Sequence, residues 1–306
     1  MVAGTHRLSR TVRRELIAGL LFILPWVIGF LAFTLYPMLA SLYYSFCNYP
    51  ILSSPRWIGA GNFQAMFRDE LFYKSLWNTF YMALVGVPLQ LAFALACASI
   101  LNFKVKGQAI YRTIYYFPSI VPVVASTLLW IWLLNPQYGL INQLLQYVGI
   151  RGPNWINDPV WAKPTFILMG VWGIGETMII YLAALQDVPQ ELYESAELDG
   201  ANWWDKFISL TFPMISSATL FTLIMGVIGS FQYFTQAYVY ASERGQVLGA
   251  PQGSTLFYAL YLYVNGFRYF KMGYASAMAW FLFVVILLCT LGILRGVGRH
   301  VYYAGQ

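Results

Sequence analysis

ESAELDGANWWDKFISLTFPMI, residues 194–215, is the stretch on which the reading of this chain turns. It gathers Glu194, Glu197, Asp199, Asp205 and Lys206 in a chain of which only 10% is charged. Apolar runs long enough to cross a bilayer flank it on both sides. A polar island between two such runs belongs in water at one face of a membrane. Glu194 is expected to open a helical stretch and Gly200 to break it. Trp203, Trp204, Phe207 and Ile208 then resume at helical spacing, and Pro213 leads into the next apolar run. The expected form is helix, bend, helix, lying along the membrane surface.

Composition places the chain in a membrane. It is 59% hydrophobic, whereas soluble domains carry about a quarter charged residues. The net charge of +6 does not imply nucleic acid, because the basic residues sit at the ends of apolar runs. Membrane lipid is the expected surface partner. Cys47, Cys97 and Cys289 lie far apart, with no metal or redox spacing. His6 and His300 lie near the termini, so no histidine-based catalytic site is expected. The first 40 residues read as a retained span, since the apolar part is too long for a signal peptide and no small-residue cleavage site follows.

Six segments suit spans: 16–37, 78–102, 114–134, 165–185, 214–238 and 273–294. The expected fold is all-α, a single polytopic permease domain over 1–306 with six transmembrane helices. A further apolar run, TLFYALYLYVNGF, is too short to span and reads as an external surface or re-entrant helix. The dense aromatic stretch there reads as an interfacial belt, or as a docking face for an external protein. Orientation rests on Arg7, Arg10, Arg13, Arg14, Lys104, Lys106, Arg112, Lys206, Arg295 and Arg299 on one side. Arg56, Arg68, Lys74, Arg151, Lys163, Arg244, Arg268 and Lys271 lie on the other. The cluster before the first span sets both termini and loop 186–213 in the cytoplasm.

The order Glu-Ser-Ala-x-x-Asp-Gly-Ala, then Phe207, then Leu-Thr-Phe-Pro, resembles the cytoplasmic coupling loop of binding-protein-dependent ABC importer permeases. Ser195, Leu210 and Phe212 depart from that family's pattern by small-for-small and apolar-for-apolar changes. WIGAGNF (57–63), LWNTF (76–80), YRTIYYFPSIVP (111–122) and MGYASAMAW (272–280) resemble the same family, in the same order. Asp199-Gly200-Ala201 is similar to its carbohydrate-importing branch. The first span resembles that of the maltose-type "F" subunit rather than its "G" partner. The resemblance implies a multi-pass inner-membrane subunit of a carbohydrate importer. Its expected partners are a second, "G"-like permease subunit, two cytoplasmic ATP-binding subunits and an extracytoplasmic solute-binding protein. No Walker A loop or catalytic constellation is present, so the chain is expected to be no enzyme and to hold no cofactor. ATP and Mg would be bound by the partner subunits.

In that reading Glu194, Ser195, Ala196, Asp199, Gly200, Ala201, Phe207 and Pro213 carry ATPase coupling. A solvated amphipathic surface helix is the plainer alternative. Glu176, an acid inside an apolar run, reads either as pathway lining or as a carboxylate near the span's outer end, paired with Lys163 or solvated. Ser119, beside Pro118 and Pro122, lies at an expected helix kink and could face the pathway. The family resemblance implies a substrate cavity of Gly173, Glu176, Thr177, Gly226, Ser230 and Tyr233. Small and polar residues also pack helices together without touching ligand. An ion-coupled secondary carrier using Glu176 is the rival function. The sequence does not name the sugar.

Overall fold

In a computed structural model the described residues are 10–103, 106–243, 245 and 249–302. His6, Arg7, Lys104 and Arg244 lie outside them. Among the described residues four helices are long and apolar enough to cross a membrane: α1 (Arg14–Ser45), α3 (Glu70–Asn102), the run of α11 (Ser216–Phe231) and α12 (Thr235–Glu243), and α14 (Met272–Gly296). Two bent pairs can each supply one more. They are α4 (Gln108–Ile120) with α5 (Val123–Leu133), bent by 97°, and α7 (Pro159–Trp172) with α8 (Gly175–Gln186), bent by 52°.

The helices run beyond the expected span limits: α1 continues past residue 37 to Ser45, and α3 begins at Glu70 rather than 78. Asp69 sets that start, its Oδ1 accepting the Leu71 amide at 2.9 Å. Such a cap holds an otherwise orphan donor. The expected third span, 114–134, is no straight helix. Val121 is extended, and Pro122 has no amide hydrogen to continue the helical ladder, so α5 starts afresh there. Pro118, by contrast, sits inside α4 without breaking it.

Proline shapes three other helices differently. Wide π turns occupy Leu31–Leu35, Met82–Gly86 and Phe207–Thr211. Pro37, Pro88 and Pro213 each follow within two residues. A proline ring clashes with the carbonyl four residues earlier, and the extra residue of a π turn swings that carbonyl away. The helices therefore run on instead of breaking.

Between the spans lie a short hairpin, β1 (Cys47–Asn48) with β2 (Arg56–Trp57), and the helices α2 (Gly61–Met66) and α6 (Leu140–Tyr147). α13 (Tyr258–Tyr263) follows the 249–257 loop. Phe257, Tyr258, Leu260 and Tyr261 are buried, so this segment packs into the bundle rather than forming a surface belt. Only its end, Phe267, Tyr269 and Phe270, is exposed. The main core joins α3, α7, α11, α13 and α14 through Phe72, Phe166, Phe231, Tyr258 and Met278. A second core joins α3 and α8 through Ala94, Ala98, Met178 and Tyr181.

A polar clasp ties the start of α3 to its neighbours. Asp69 Oδ2 accepts from the Tyr261 hydroxyl at 2.5 Å and the Tyr274 hydroxyl at 2.7 Å. Asn62 donates to the carbonyls of Ser45 and Cys47, both at 2.8 Å. Gly273 is pressed on the Cys47 carbonyl, where any Cβ would collide. Asn78 donates to the carbonyls of Gly253 at 2.9 Å and Leu256 at 3.0 Å, and Thr79 Oγ1 accepts the Tyr258 amide at 2.9 Å. The motifs WIGAGNF, LWNTF and MGYASAMAW are thus joints between elements.

Candidate functional site: a stapled loop and a polar wall

The loop between α8 and α11 folds as helix, turn, helix. α9 spans Gln190–Leu198, so Glu194 lies at its middle and does not open it. Pro189 precedes the first turn with extended backbone and supplies the entry. Gly200 has φ +80°. The Ala201 amide reaches back to the Ala196 carbonyl at 2.9 Å, the closing bond of a glycine-terminated helix. No atom lies within 4 Å of a Cβ built on Gly200, so the demand for glycine comes from the backbone alone.

The next helix, α10 (Trp203–Lys206), starts with a reciprocal cap. Asn202 Oδ1 accepts the amides of Trp204 and Asp205, and Asp205 Oδ2 accepts the Asn202 amide at 3.0 Å. Two contacts then staple α10 and the π turn after it to α9. Lys206 Nζ meets Glu197 Oε1 at 2.7 Å, and the Tyr193 hydroxyl lies 2.9 Å from Thr211 Oγ1. Trp203 stacks on Phe207 at 5.4 Å. Sequence reasoning missed both staples, since their partners lie 9 and 18 residues apart.

What the loop leaves outside is equally specific. Glu194 and Asp199 are exposed, and Ser195 Oγ is turned onto the Glu191 carbonyl at 2.9 Å. Ala196 and Ala201 are half-buried, and Pro213 is exposed at the entry to α11. Leu198 is 91% exposed, and Trp204 and Ile208 each 62%. These apolar tips beside carboxylates suit a macromolecular partner. An open cleft of about 350 Å³ separates the loop from the end of α3. Tyr193, Glu197 and Lys206 line it on one side and Ser99 and Asn102 on the other.

The predicted pathway residues are only partly brought together. Gly173 marks the α7–α8 bend, and Glu176 is exposed in the first turn of α8 with Thr177 half-buried beside it. Lys163 does not pair with Glu176; its Nζ donates to Asn78 Oδ1 at 3.2 Å. Ser119 donates to the Tyr116 carbonyl at 2.6 Å and faces Gly175, where a Cβ would come within 2.9 Å of it. Gly226 lets α11 approach α3, since a Cβ there would lie 2.8 Å from Val87 Cγ1. Ser230 is buried and donates to the Val227 carbonyl at 2.7 Å. Tyr233 differs, because its hydroxyl is buried with no hydrogen-bond partner. Lys163 and the 253–256 segment meet through the Asn78 side chain, a juxtaposition hidden in the sequence because its members come from three distant parts of the chain.

Comparison with known proteins agrees with this geometry. A family described as the binding-protein-dependent transport system inner membrane component matches residues 90–301. The chain is 43% identical to the probable ABC transporter permease protein YesP of Bacillus subtilis (strain 168), over 99% of this chain and 98% of that one. It is 33% identical to the lactose transport system permease protein LacF of Rhizobium radiobacter, over 90% of this chain and 92% of that one. A chain from the crystal structure of a bacterial alginate ABC transporter, in complex with alginate pentasaccharide-bound periplasmic protein, superposes with a TM-score of 0.76. That match has 25% identity and covers 96% of this chain and 98% of the other. The chain therefore belongs to the inner-membrane permeases of binding-protein-dependent ABC transport systems.

Proposed function

We propose that this permease forms half of the membrane pathway of an ATP-driven carbohydrate importer. The lactose and alginate relatives support the substrate class. The observation that carries the reading is the stapled loop. It is internally rigid, exposed at its apolar and acidic tips, and continuous with α8 and α11. A rigid element of that kind can transmit motion of a docked ATPase to the spans.

In full, the proposal has six spans, each bent pair counting as one, both termini in the cytoplasm, and loop 186–213 on the cytoplasmic face. Glu194, Ser195, Ala196, Asp199, Gly200, Ala201, Phe207 and Pro213 form or support the ATPase-docking surface. Gly173, Glu176, Thr177, Ser119, Gly226, Ser230 and Tyr233 line or shape the pathway. A second permease subunit completes that pathway. Two separate subunits bind ATP and Mg, this chain holds no cofactor, and an extracytoplasmic protein delivers the sugar. For the rival carrier Glu176 would be the ion site. Its place in the first turn of a helix already stabilises a carboxylate, so no bound ion is called for.

The test is purification followed by reconstitution with ATP enclosed. An ATPase should co-purify, and sugar uptake should need ATP and the binding protein and survive collapse of the proton gradient. Uptake that needs only the gradient would overturn the proposal. A cysteine at Asn202 should label only in inverted vesicles; labelling in intact cells would overturn the orientation.

A further inference from the structure

The connection from α5 to α7 holds α6 at a fixed level. The Asn135 amide donates to the Trp132 carbonyl at 3.2 Å, and the Gly139 amide returns to the Asn135 carbonyl at 2.9 Å, so the chain between α5 and α6 closes into a tight turn. A Cβ on Gly139 would lie 2.5 Å from the carbonyl oxygens of Leu133 and Asn135. Only glycine lets α6 start this close to the last turn of α5. The packed side of α6 is tied to α7. Asn142 Oδ1 accepts from the Trp155 indole at 2.6 Å, and the Asn142 amide donates to the Pro153 carbonyl at 3.2 Å. The Trp155 ring meets that of Trp161, in the first turn of α7, edge-on at 5.9 Å. α6 therefore lies level with the end of one apolar helix and the start of the next.

The sides of α6 differ in chemistry. Ile141, Asn142 and Leu145 are half-buried against the chain. Leu140, Leu144 and Tyr147, spaced by four and three residues, share one stripe and are all exposed, Tyr147 by 89%. Val148 and Ile150 carry the stripe past the end of the helix, with Val148 76% exposed. Away from it, Asn142, Gln146 and Arg151 line an open polar cleft of about 340 Å³. No residue from Pro136 to Ile150 is charged, so the stripe offers an oppositely charged protein surface nothing to pair with. Apolar side chains along one side and amides along the other suit a helix that lies in the plane of a bilayer surface. The neighbouring helix ends carry the matching signal. Trp132 at the end of α5 and Trp161 at the start of α7 are both exposed, and exposed Trp and Tyr collect at the headgroup level.

We propose that α6 is an interfacial helix. Leu140, Leu144, Tyr147 and Val148 lie among the headgroups and upper acyl chains of the outer leaflet, and they moor the outer ends of α5 and α7 there. The occupant of the stripe is phospholipid; the solute-binding protein and the second permease subunit are the occupants that the test separates from it. The proposal rests on the reading in which each bent pair is one crossing.

The test uses the complete transporter in phospholipid vesicles, with Cys47, Cys97 and Cys289 replaced by alanine and a single cysteine placed on α6. All the chosen positions are exposed, so the substitutions leave the packing intact. A fluorophore on Leu144→Cys or Tyr147→Cys should be quenched more by phospholipid carrying a nitroxide near the headgroup than by phospholipid carrying it at the acyl chain end, which places the stripe about 5–10 Å into the boundary. A fluorophore on Gln146→Cys should be quenched least. Saturating solute-binding protein should leave the quenching unchanged. In intact cells an impermeant maleimide should label Gln146→Cys about tenfold faster than Leu144→Cys, because the reactive thiolate is disfavoured among apolar groups. Absence of lipid quenching at both Leu144→Cys and Tyr147→Cys would overturn the proposal, whether the binding protein, the second subunit or nothing shields them. Equal quenching at Gln146→Cys and Leu144→Cys would overturn it too. If Gln146→Cys labels from outside while Leu144→Cys is not quenched, this inference fails and the crossing reading stands. If Gln146→Cys labels only in inverted vesicles, both fail.

Discussion

α3 links two regions built on opposite principles. At its start, the clasp around Asp69 turns its polar groups inward. Asp69 accepts from Leu71, Tyr261 and Tyr274, Asn62 holds two carbonyls, and Gly273 is pressed on backbone. At its other end, the 190–214 loop spends a few polar groups on stapling itself and leaves the rest in the open. Glu194 and Leu198 face outward, and Trp204 touches only the neighbouring rings of Trp203 and Phe207 while most of it stays exposed. A satisfied buried network fixes elements in one arrangement. A rigid, unsatisfied surface is complete only with a partner. Under the proposed function the clasp serves as an anchor and the loop as a lever, so damage to each should register differently, in folding for one and in coupling for the other.

The sharpest way to break that contrast is Gly273→Val. Its side chain would run into the Cys47 carbonyl, with Tyr49 N 3.1 Å from the Cβ. The cost should exceed about 3 kcal/mol, with loss of a monodisperse species in detergent. A well-folded Gly273→Val protein would show that the clasp is not an anchor. Asp69→Ala comes next, leaving two tyrosine hydroxyls and one amide without their acceptor. A loss of about 3 kcal/mol is expected as a lowered thermal midpoint, with uptake per folded molecule unchanged.

On the lever, Gly200→Val forces a β-branched residue to φ +80°. Local strain of about 1–3 kcal/mol is expected, with nothing nearby to clash. The protein should fold yet hydrolyse ATP without uptake, whereas Gly200→Asn, which tolerates this conformation, should keep coupling. Normal uptake in a correctly inserted Gly200→Val would refute the lever. Lys206→Ala removes a largely exposed ion pair, Glu197 being 62% exposed, and should cost at most about 1 kcal/mol while loosening coupling. Glu194→Lys should change stability by less than about 0.5 kcal/mol and still reduce ATPase retention on purification. Full retention would remove Glu194 from the docking surface.

Much of the lever was legible because its signals are local. Gly200 after a helical run and Pro213 before the next apolar run are punctuation with fixed physical meaning, whereas the Asn202 cap went unread. Glu194 was misplaced as a helix start because Pro189 and Gln190, not the acid, set the boundary. The clasp was visible only as family motifs without a purpose. Asn62 and Gly273 acquire theirs from Cys47, and Asp69 from Tyr261 and from Tyr274, which lies 205 residues away. For Gly226 and Ser230, composition fits both a cavity and a helix contact, and only the tertiary structure shows that they meet Val87 and the Val227 carbonyl within the chain.

By itself the sequence determined that this chain lives in a bilayer, roughly where it crosses, and that one polar loop interrupts the apolar runs. Those properties follow from transfer free energy and backbone chemistry, which act residue by residue. The tertiary structure decided that α4 and α5 meet at an angle of 97° at Pro122 and that α13 is swallowed by the core. It also decided that Lys163 meets Asn78 and Tyr81 rather than Glu176. These outcomes depend on which distant group arrives to satisfy a donor, fill a space or oppose a charge. No local pattern encodes that arrival.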